Sequence, residues 1–123
     1  IFMIAGCLPD DGTDPDIDPR DNFTGQWRVE ERSMLYGETT YDVTIQNDPT
    51  NSAQVEITNF YGFGNDIMVK AIPTQLTISV FSQFVCNHTV EGEGFLTNNI
   101  IDWNYTVNDG ADIDSVTATY NRL

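Results

Sequence analysis

The sequence predicts an all-β fold, a single antiparallel meander of about eight short strands closing into a small barrel. Three observations predict it. From Phe23 onward, apolar and polar residues alternate with a period of two. Turn signals rich in Gly, Pro and Asn separate the alternating sets at roughly 8–12-residue spacing. Val, Ile, Thr and aromatic residues dominate throughout, and no segment has helical spacing.

In chain order, Trp27 and Val29 alternate with Gln26, Arg28 and Glu30, and Tyr41, Val43 and Ile45 with Asp42, Thr44 and Gln46. Val55 and Ile57 flank Glu56, and Leu76, Ile78 and Val80 alternate with Thr77 and Ser79. Trp103, Tyr105 and Val107 alternate with Asp102, Asn104 and Thr106; Val116, Ala118 and Tyr120 alternate with Ser115, Thr117 and Thr119. Each set sends apolar groups to one sheet face and polar groups to the other. Tyr36-Gly37, Asn47-Asp48-Pro49, Gly62 to Asp66, Pro73, Asn98-Asn99 and Asn108-Asp109-Gly110 mark the turns. Gly92 and Gly94 interrupt one strand and predict a bulge or bend there. Such a bulge would account for the opposite parity of Val90 and Phe95.

Composition narrows the function. A chain of 123 residues has room for one core-forming domain. Its net charge of −14 argues against nucleic acid, where Lys and Arg must neutralise phosphates, and against docking on anionic lipid by charge. Two cysteines and one histidine leave little for a zinc cage or a Cys-His nucleophile pair. No metal, no cofactor and no enzymatic activity is expected.

The amino terminus carries a different signal. Ile4-Ala5-Gly6-Cys7 resembles a bacterial lipobox, an aliphatic residue and two small residues before a cysteine. The resemblance implies that residues 1–6 are a signal-peptide remnant and that the Cys7 sulfur carries a diacylglycerol anchor. Residues 7–22 then form a disordered acidic linker, extended by three prolines and by charge repulsion. Asp10-Asp11 resembles the export signal that sends lipoproteins of Bacteroidetes to the outer face of the outer membrane. Asp14, Asp16 and Asp18 alternate as in a calcium loop, but Pro19 and Gly25 stand where Gly and Glu would be needed.

Residues 23–123 resemble the lipocalins and related calycin barrels. Gly25-Gln26-Trp27 matches the Gly-x-Trp that opens their first strand, and Thr117-Ala118-Thr119-Tyr120 resembles the last strand of small Bacteroidetes lipocalin-like lipoproteins. The resemblance implies that Trp27 closes one barrel end and that Arg122 packs across it. The folded part is shorter than a ligand-carrying lipocalin, so a filled interior is expected over a deep pocket.

Phe60, Tyr61 and Phe63, on a glycine-rich loop, are the candidate ligand or partner site. They could line the barrel mouth and stack on a sugar or partner, or plug the barrel as core, with Phe81, Phe84 and Phe95 joining them. His88 lacks an adjacent nucleophile and orienting partner. Cys86 is expected to be a buried free thiol. Glu30, Glu31, Asp42, Glu56, Glu91 and Glu93 are expected on solvated sheet faces. The expected function is a monomeric, lipid-anchored, non-enzymatic barrel at the outer membrane or cell surface. It would bind a small hydrophobic molecule, a glycan or an envelope protein. The alternative is a structural or inhibitor-like module with a filled barrel and no small ligand.

Overall fold

The computed structural model describes residues 18–123. Cys7, the leader-like residues 1–6 and the linker as far as residue 17 lie outside the described residues. Eight strands follow one another: β1 (Gly25–Ser33), β2 (Gly37–Asn47), β3 (Val55–Thr58), β4 (Met68–Pro73), β5 (Thr77–Val85), β6 (His88–Thr97), β7 (Ile100–Asn108) and β8 (Ile113–Arg122). Each pairs antiparallel with its sequence neighbour, and β8 pairs with β1 to close the barrel, from Trp27 opposite Arg122 to Ser33 opposite Val116. Closure leaves the meander no free edge. The all-β reading and the period-two alternation hold. Buried and exposed residues alternate cleanly along β1, β7 and β8.

The barrel has two unlike ends. At one, a 3-10 turn (Pro19–Asn22) lies across the opening. Its start is fixed by Asp18, which accepts from the Arg20 amide at 3.0 Å. Phe23 and Trp27 are wholly buried here, and the Trp27 indole N–H donates to the Phe23 carbonyl at 2.8 Å. Asn22 donates to the Gln75 carbonyl of the β4–β5 turn. The opposite end carries the β1–β2, β3–β4, β5–β6 and β7–β8 connections. Between the ends, Trp103, Tyr120, Ile45, Ile57, Ile78 and Ile101 fill the lumen.

The ladder is thinnest between β4 and β5, where only Ile72 with Ser79 and Pro73 with Ile78 are in register. The Gln83 side chain fills the gap. Its amide oxygen accepts from the Lys70 N–H and its amide nitrogen donates to the Lys70 carbonyl, both at 2.9 Å. A side-chain amide thus replaces the ladder bonds of a missing backbone pair. On the outer wall, Glu56 is held between its cross-strand neighbours Gln46 and Lys70. Lys70 also reaches Asp48 at 2.9 Å.

Several expectations need correction. The end of the expected disordered linker, Asp18 to Asn22, is instead an ordered, capped 3-10 turn. The bulge lies in β5, between Val80 and Gln83, while β6 pairs with β7 without interruption. Gly92 and Gly94 instead allow close approach: a Cβ on Gly92 would sit 2.3 Å from the Tyr105 Cβ. Val90 and Phe95 differ in parity simply because one points inward and the other outward. Cys86 is exposed, because Cys86 and Asn87 form a two-residue turn with φ of 49° and 64° rather than continuing a strand. Phe81, Phe84 and Phe95 are exposed rather than packed with Phe60, and Leu76 is exposed in a turn. Glu31 and Glu56 are buried, not solvated.

Candidate functional site

The open end of the barrel gathers the polar chemistry of the molecule. Along β1, Trp27, Val29, Glu31 and Ser33 share one parity, so the strand that buries Trp27 at one end carries a carboxylate and a hydroxyl inward at the other. Glu31 is 6% exposed and Asp114, inward on β8, is 1% exposed. Burying such groups is costly unless each is hydrogen-bonded.

Two small networks supply their hydrogen bonds, completely for Asp114 and unevenly for Glu31. Glu31 Oε1 accepts from the hydroxyls of Tyr41 on β2 and Tyr105 on β7. Glu31 Oε2 has a single long contact, 3.5 Å from the Thr39 hydroxyl. Asp114 accepts from the Ser33 hydroxyl, from the Tyr61 hydroxyl at 2.5 Å and from the Leu35 amide at 3.1 Å. Burial raises the Asp114 pKa, but the bonds from Ser33, Tyr61 and the nearby backbone outweigh it and hold the carboxyl below its ordinary range. Burial first, then the neighbouring tyrosines and Glu31, push the Tyr41 and Tyr105 hydroxyls well above the usual phenol range. Both therefore remain donors. The Tyr61 hydroxyl is raised by burial and by its bond to Asp114.

The β3–β4 loop roofs this cluster. Asn59 anchors it, donating to the Asp42 carbonyl at 2.9 Å and accepting from the Gly64 amide at 2.8 Å. Asn59 and Tyr61 both adopt φ of 60°, a left-handed conformation that a side chain takes at a cost of roughly 1–3 kcal/mol. That turn sends successive aromatics in different directions. Phe60 enters the lumen, wholly buried, 4.5 Å from Tyr105 and 6.1 Å from Trp103 between ring centroids. Tyr61 lies over Asp114. Phe63 is half-buried against Tyr61 and the His88 ring, at 5.4 and 5.2 Å.

Beside Tyr61 a cup of about 410 Å³ remains, lined by Glu31, Ser33, Tyr36, Thr39, Tyr41 and Tyr61 among others. A larger concavity, about 830 Å³, is an open groove on the outer wall bordered by Arg32, Phe81, Glu91 and Glu93. Glu31 lines the cup and also borders a second concavity of about 420 Å³ shared with Glu30, Glu38, Asp102 and Thr119. At the other end, the Arg122 guanidinium lies 4.2 Å above the Trp27 ring and donates to the carbonyls of Thr24 and Asn22. His88 packs its ring 5.2 Å from Phe63, with its Nδ1 2.6 Å from the Cys86 carbonyl oxygen. Among the described residues, no group of three or more His, Cys, Asp or Glu is placed to hold a metal ion.

Sequence reading singled out Phe60, Tyr61 and Phe63, which the structure brings to the mouth. It missed Glu31, Ser33, Tyr41, Tyr105 and Asp114. Parity puts Tyr41 and Tyr105 on the inward face without their role, and it could also have flagged Glu31, which follows Trp27 and Val29, and Asp114, which precedes Val116, Ala118 and Tyr120.

Fold and site together define a small, closed, eight-stranded meander barrel with a packed lumen and a polar mouth. Solved structures of that kind resemble it. The redesigned β-barrel mFAP1, bound to DFHBI, superposes with a TM-score of 0.61 at 19% identity, covering 86% of this chain and all of that one. The redesigned barrel b11L5F_LGL gives 0.61 at 17% identity, covering 88% and 97%. EF1p2_mFAP2b, also bound to DFHBI, gives 0.59 at 17% identity, covering 87% and 100%. At these identities the likeness is one of fold. No protein-family model and no curated protein sequence matches the chain.

Proposed function

We propose that this chain is a lipid-anchored, non-enzymatic binding or accessory barrel of the bacterial cell envelope, lipocalin-like in type, that meets its ligand or partner at the open end. The observation that carries the binding role is the mouth itself. One buried acid, Glu31, three tyrosines and the strained β3–β4 loop line a cup that the packing of the barrel does not require. Small-molecule binding is supported by the redesigned barrels bound to DFHBI, which have this fold. The anchor rests on Ile4-Ala5-Gly6-Cys7, and a location at the outer membrane or cell surface rests on Asp10-Asp11. The chain enters the barrel at the Trp27 end, opposite the mouth.

Mass spectrometry of the protein from its native membrane tests the anchor. Acyl chains on Cys7, lost together with membrane association in Cys7→Ser, are expected; an unmodified Cys7 in membrane-bound protein overturns it. Backbone NMR during titration with lipids, glycans and amphiphilic small molecules tests the binding role. Saturable shifts confined to residues 33–41 and 59–64 are expected, and shifts elsewhere or none overturn it. A second reading, an interaction module without a small ligand, is favoured by the filled lumen. It predicts that a partner protein protects the rim residues Met34 and Tyr36 from solvent, both of which are exposed here.

A further inference from the structure

The two buried acids at the mouth have no basic partner. Among the described residues, Arg20, Arg28, Arg32 and Lys70 form ion pairs elsewhere, with Asp18, Asp42, Glu38, Asp48 and Glu56. Arg122 is engaged with Trp27 at the far end. Buried carboxylates are ordinarily paired or bind cations. Here hydroxyls serve instead, and they serve unevenly: both phenols donate to Glu31 Oε1, leaving Oε2 with its 3.5 Å contact to Thr39. Thr39 and Glu31 both line the cup. The fully buried Tyr120 hydroxyl, whose pKa is raised by burial and by the Glu31 carboxylate, has no hydrogen-bond partner at all. The polar groups under the mouth are therefore incompletely matched by protein.

The remaining walls decide which cation fits. Tyr36, Tyr41 and Tyr61 contribute three phenol rings to the cup. Aromatic rings beside a carboxylate favour a poorly hydrated organic cation, which gains from ring quadrupoles, over a hydrated metal ion that needs several oxygen ligands in fixed geometry. A volume of about 410 Å³ lies within the range of small-molecule sites.

We infer that the mouth cup binds a small organic ammonium ion, with its cationic head against Glu31 Oε2 and its alkyl body between Tyr36, Tyr41 and Tyr61. This rests on the proposed binding role and specifies its ligand class. Choline is the probe, followed by NMR and calorimetry on the whole chain. The uncharged control is the choline isostere with carbon in place of the ammonium nitrogen. Saturable choline shifts at Tyr36, Gly37 and Thr39 are expected, with the isostere at least about tenfold weaker. Glu31→Gln should weaken choline about tenfold or more while leaving the isostere unchanged. Glu31 is a core position, so Tyr36→Ala provides a variant at an exposed site. It should weaken choline severalfold without shifting Tm. Equal binding of choline and isostere, indifference to both substitutions, or no saturable choline binding would each overturn the inference. If the isostere or another neutral molecule alone saturates the cup, the ligand class is wrong and the binding role stands.

Discussion

Replacing Gly92 with alanine puts a close approach of β6 and β7 to the test. An ideal Cβ at Gly92 would lie 2.3 Å from the Tyr105 Cβ, 2.4 Å from the Asn104 carbonyl oxygen and 2.6 Å from the Tyr105 Cα. Two of these three atoms belong to backbone, so no rotamer change relieves the clash. Strands β6 and β7 must part by about 1 Å to restore ordinary contact distances. Overpacking alone costs typically 1–3 kcal/mol, and each ladder hydrogen bond weakened beside it adds up to about 1 kcal/mol net. Gly92→Ala should therefore cost at least about 3 kcal/mol, a fall in Tm of roughly 15 °C for a domain of this size. Gly94 is the internal control. Its added Cβ would meet only side-chain atoms, Ile101 Cγ2 at 2.8 Å, Ile78 Cγ2 at 3.0 Å and Trp103 Cδ2 at 3.0 Å. These can shift, so Gly94→Ala should cost about 1–2 kcal/mol. Urea unfolding followed by tryptophan fluorescence reads both, since Trp27 and Trp103 are buried. A Gly92→Ala protein within 1 kcal/mol of the parent, or Gly94→Ala costing more than Gly92→Ala, would refute the argument.

Other consequences are equally open to measurement. Arg122→Ala removes the contact over Trp27 and the ties to Asn99, Thr24 and Asn22, and should cost about 2 kcal/mol. In a cycle with Trp27→Ala the two losses should couple by about 0.5–2 kcal/mol, and strict additivity would contradict the stacking. Tyr61→Phe deletes the bond to Asp114 while keeping the left-handed backbone, so hydrogen exchange of the 59–64 amides should quicken by about tenfold for a loss of about 1–2 kcal/mol; unchanged exchange would show that the bond does not hold the loop. Acid should destabilise the fold as Asp48 and Asp114 protonate. The amide of Thr50 and then Lys70 hold Asp48 at about 2, and Asp114 is also lowered, so both bind protons more readily when unfolded. Their contribution is present above the unfolded carboxyl range near pH 4 and is lost as pH falls toward 2. Asp48→Asn and Asp114→Asn should each flatten that slope, and a slope equal to the parent's in both variants would contradict the assignment. The Cys86 thiol, exposed in its turn, should react with a thiol reagent in the folded protein at nearly the unfolded rate; strong protection would place it elsewhere.

Much of the fold is legible in the sequence because period-two patterning is local. Trp27 and Val29, or Trp103, Tyr105 and Val107, announce their inward face without reference to any other strand. Turn residues are local too, and Asn98-Asn99 and Asn108 to Gly110 stand where the chain reverses. Cys86-Asn87 escaped because cysteine is an uncommon turn residue, and its left-handed φ is imposed by the strands that the turn joins. Gly92 and Gly94 were visible as exceptions, but their reason, the closeness of β7, belongs to a neighbouring strand.

The mouth shows the boundary most clearly. Glu31 has the inward parity of Trp27, yet an acid on an amphipathic strand ordinarily faces water. Nothing nearby in sequence shows that Tyr105, 74 residues away, will bond to it. Ser33 and Asp114 meet across a separation of 81 residues, and Tyr61 reaches Asp114 across 53. Alternation and turn chemistry dictated that strands form and which side each buries, since these follow from neighbours a few bonds apart. Barrel closure alone decided which residues from distant strands share an end, and so whether a carboxylate becomes a solvated surface charge or the floor of a cup.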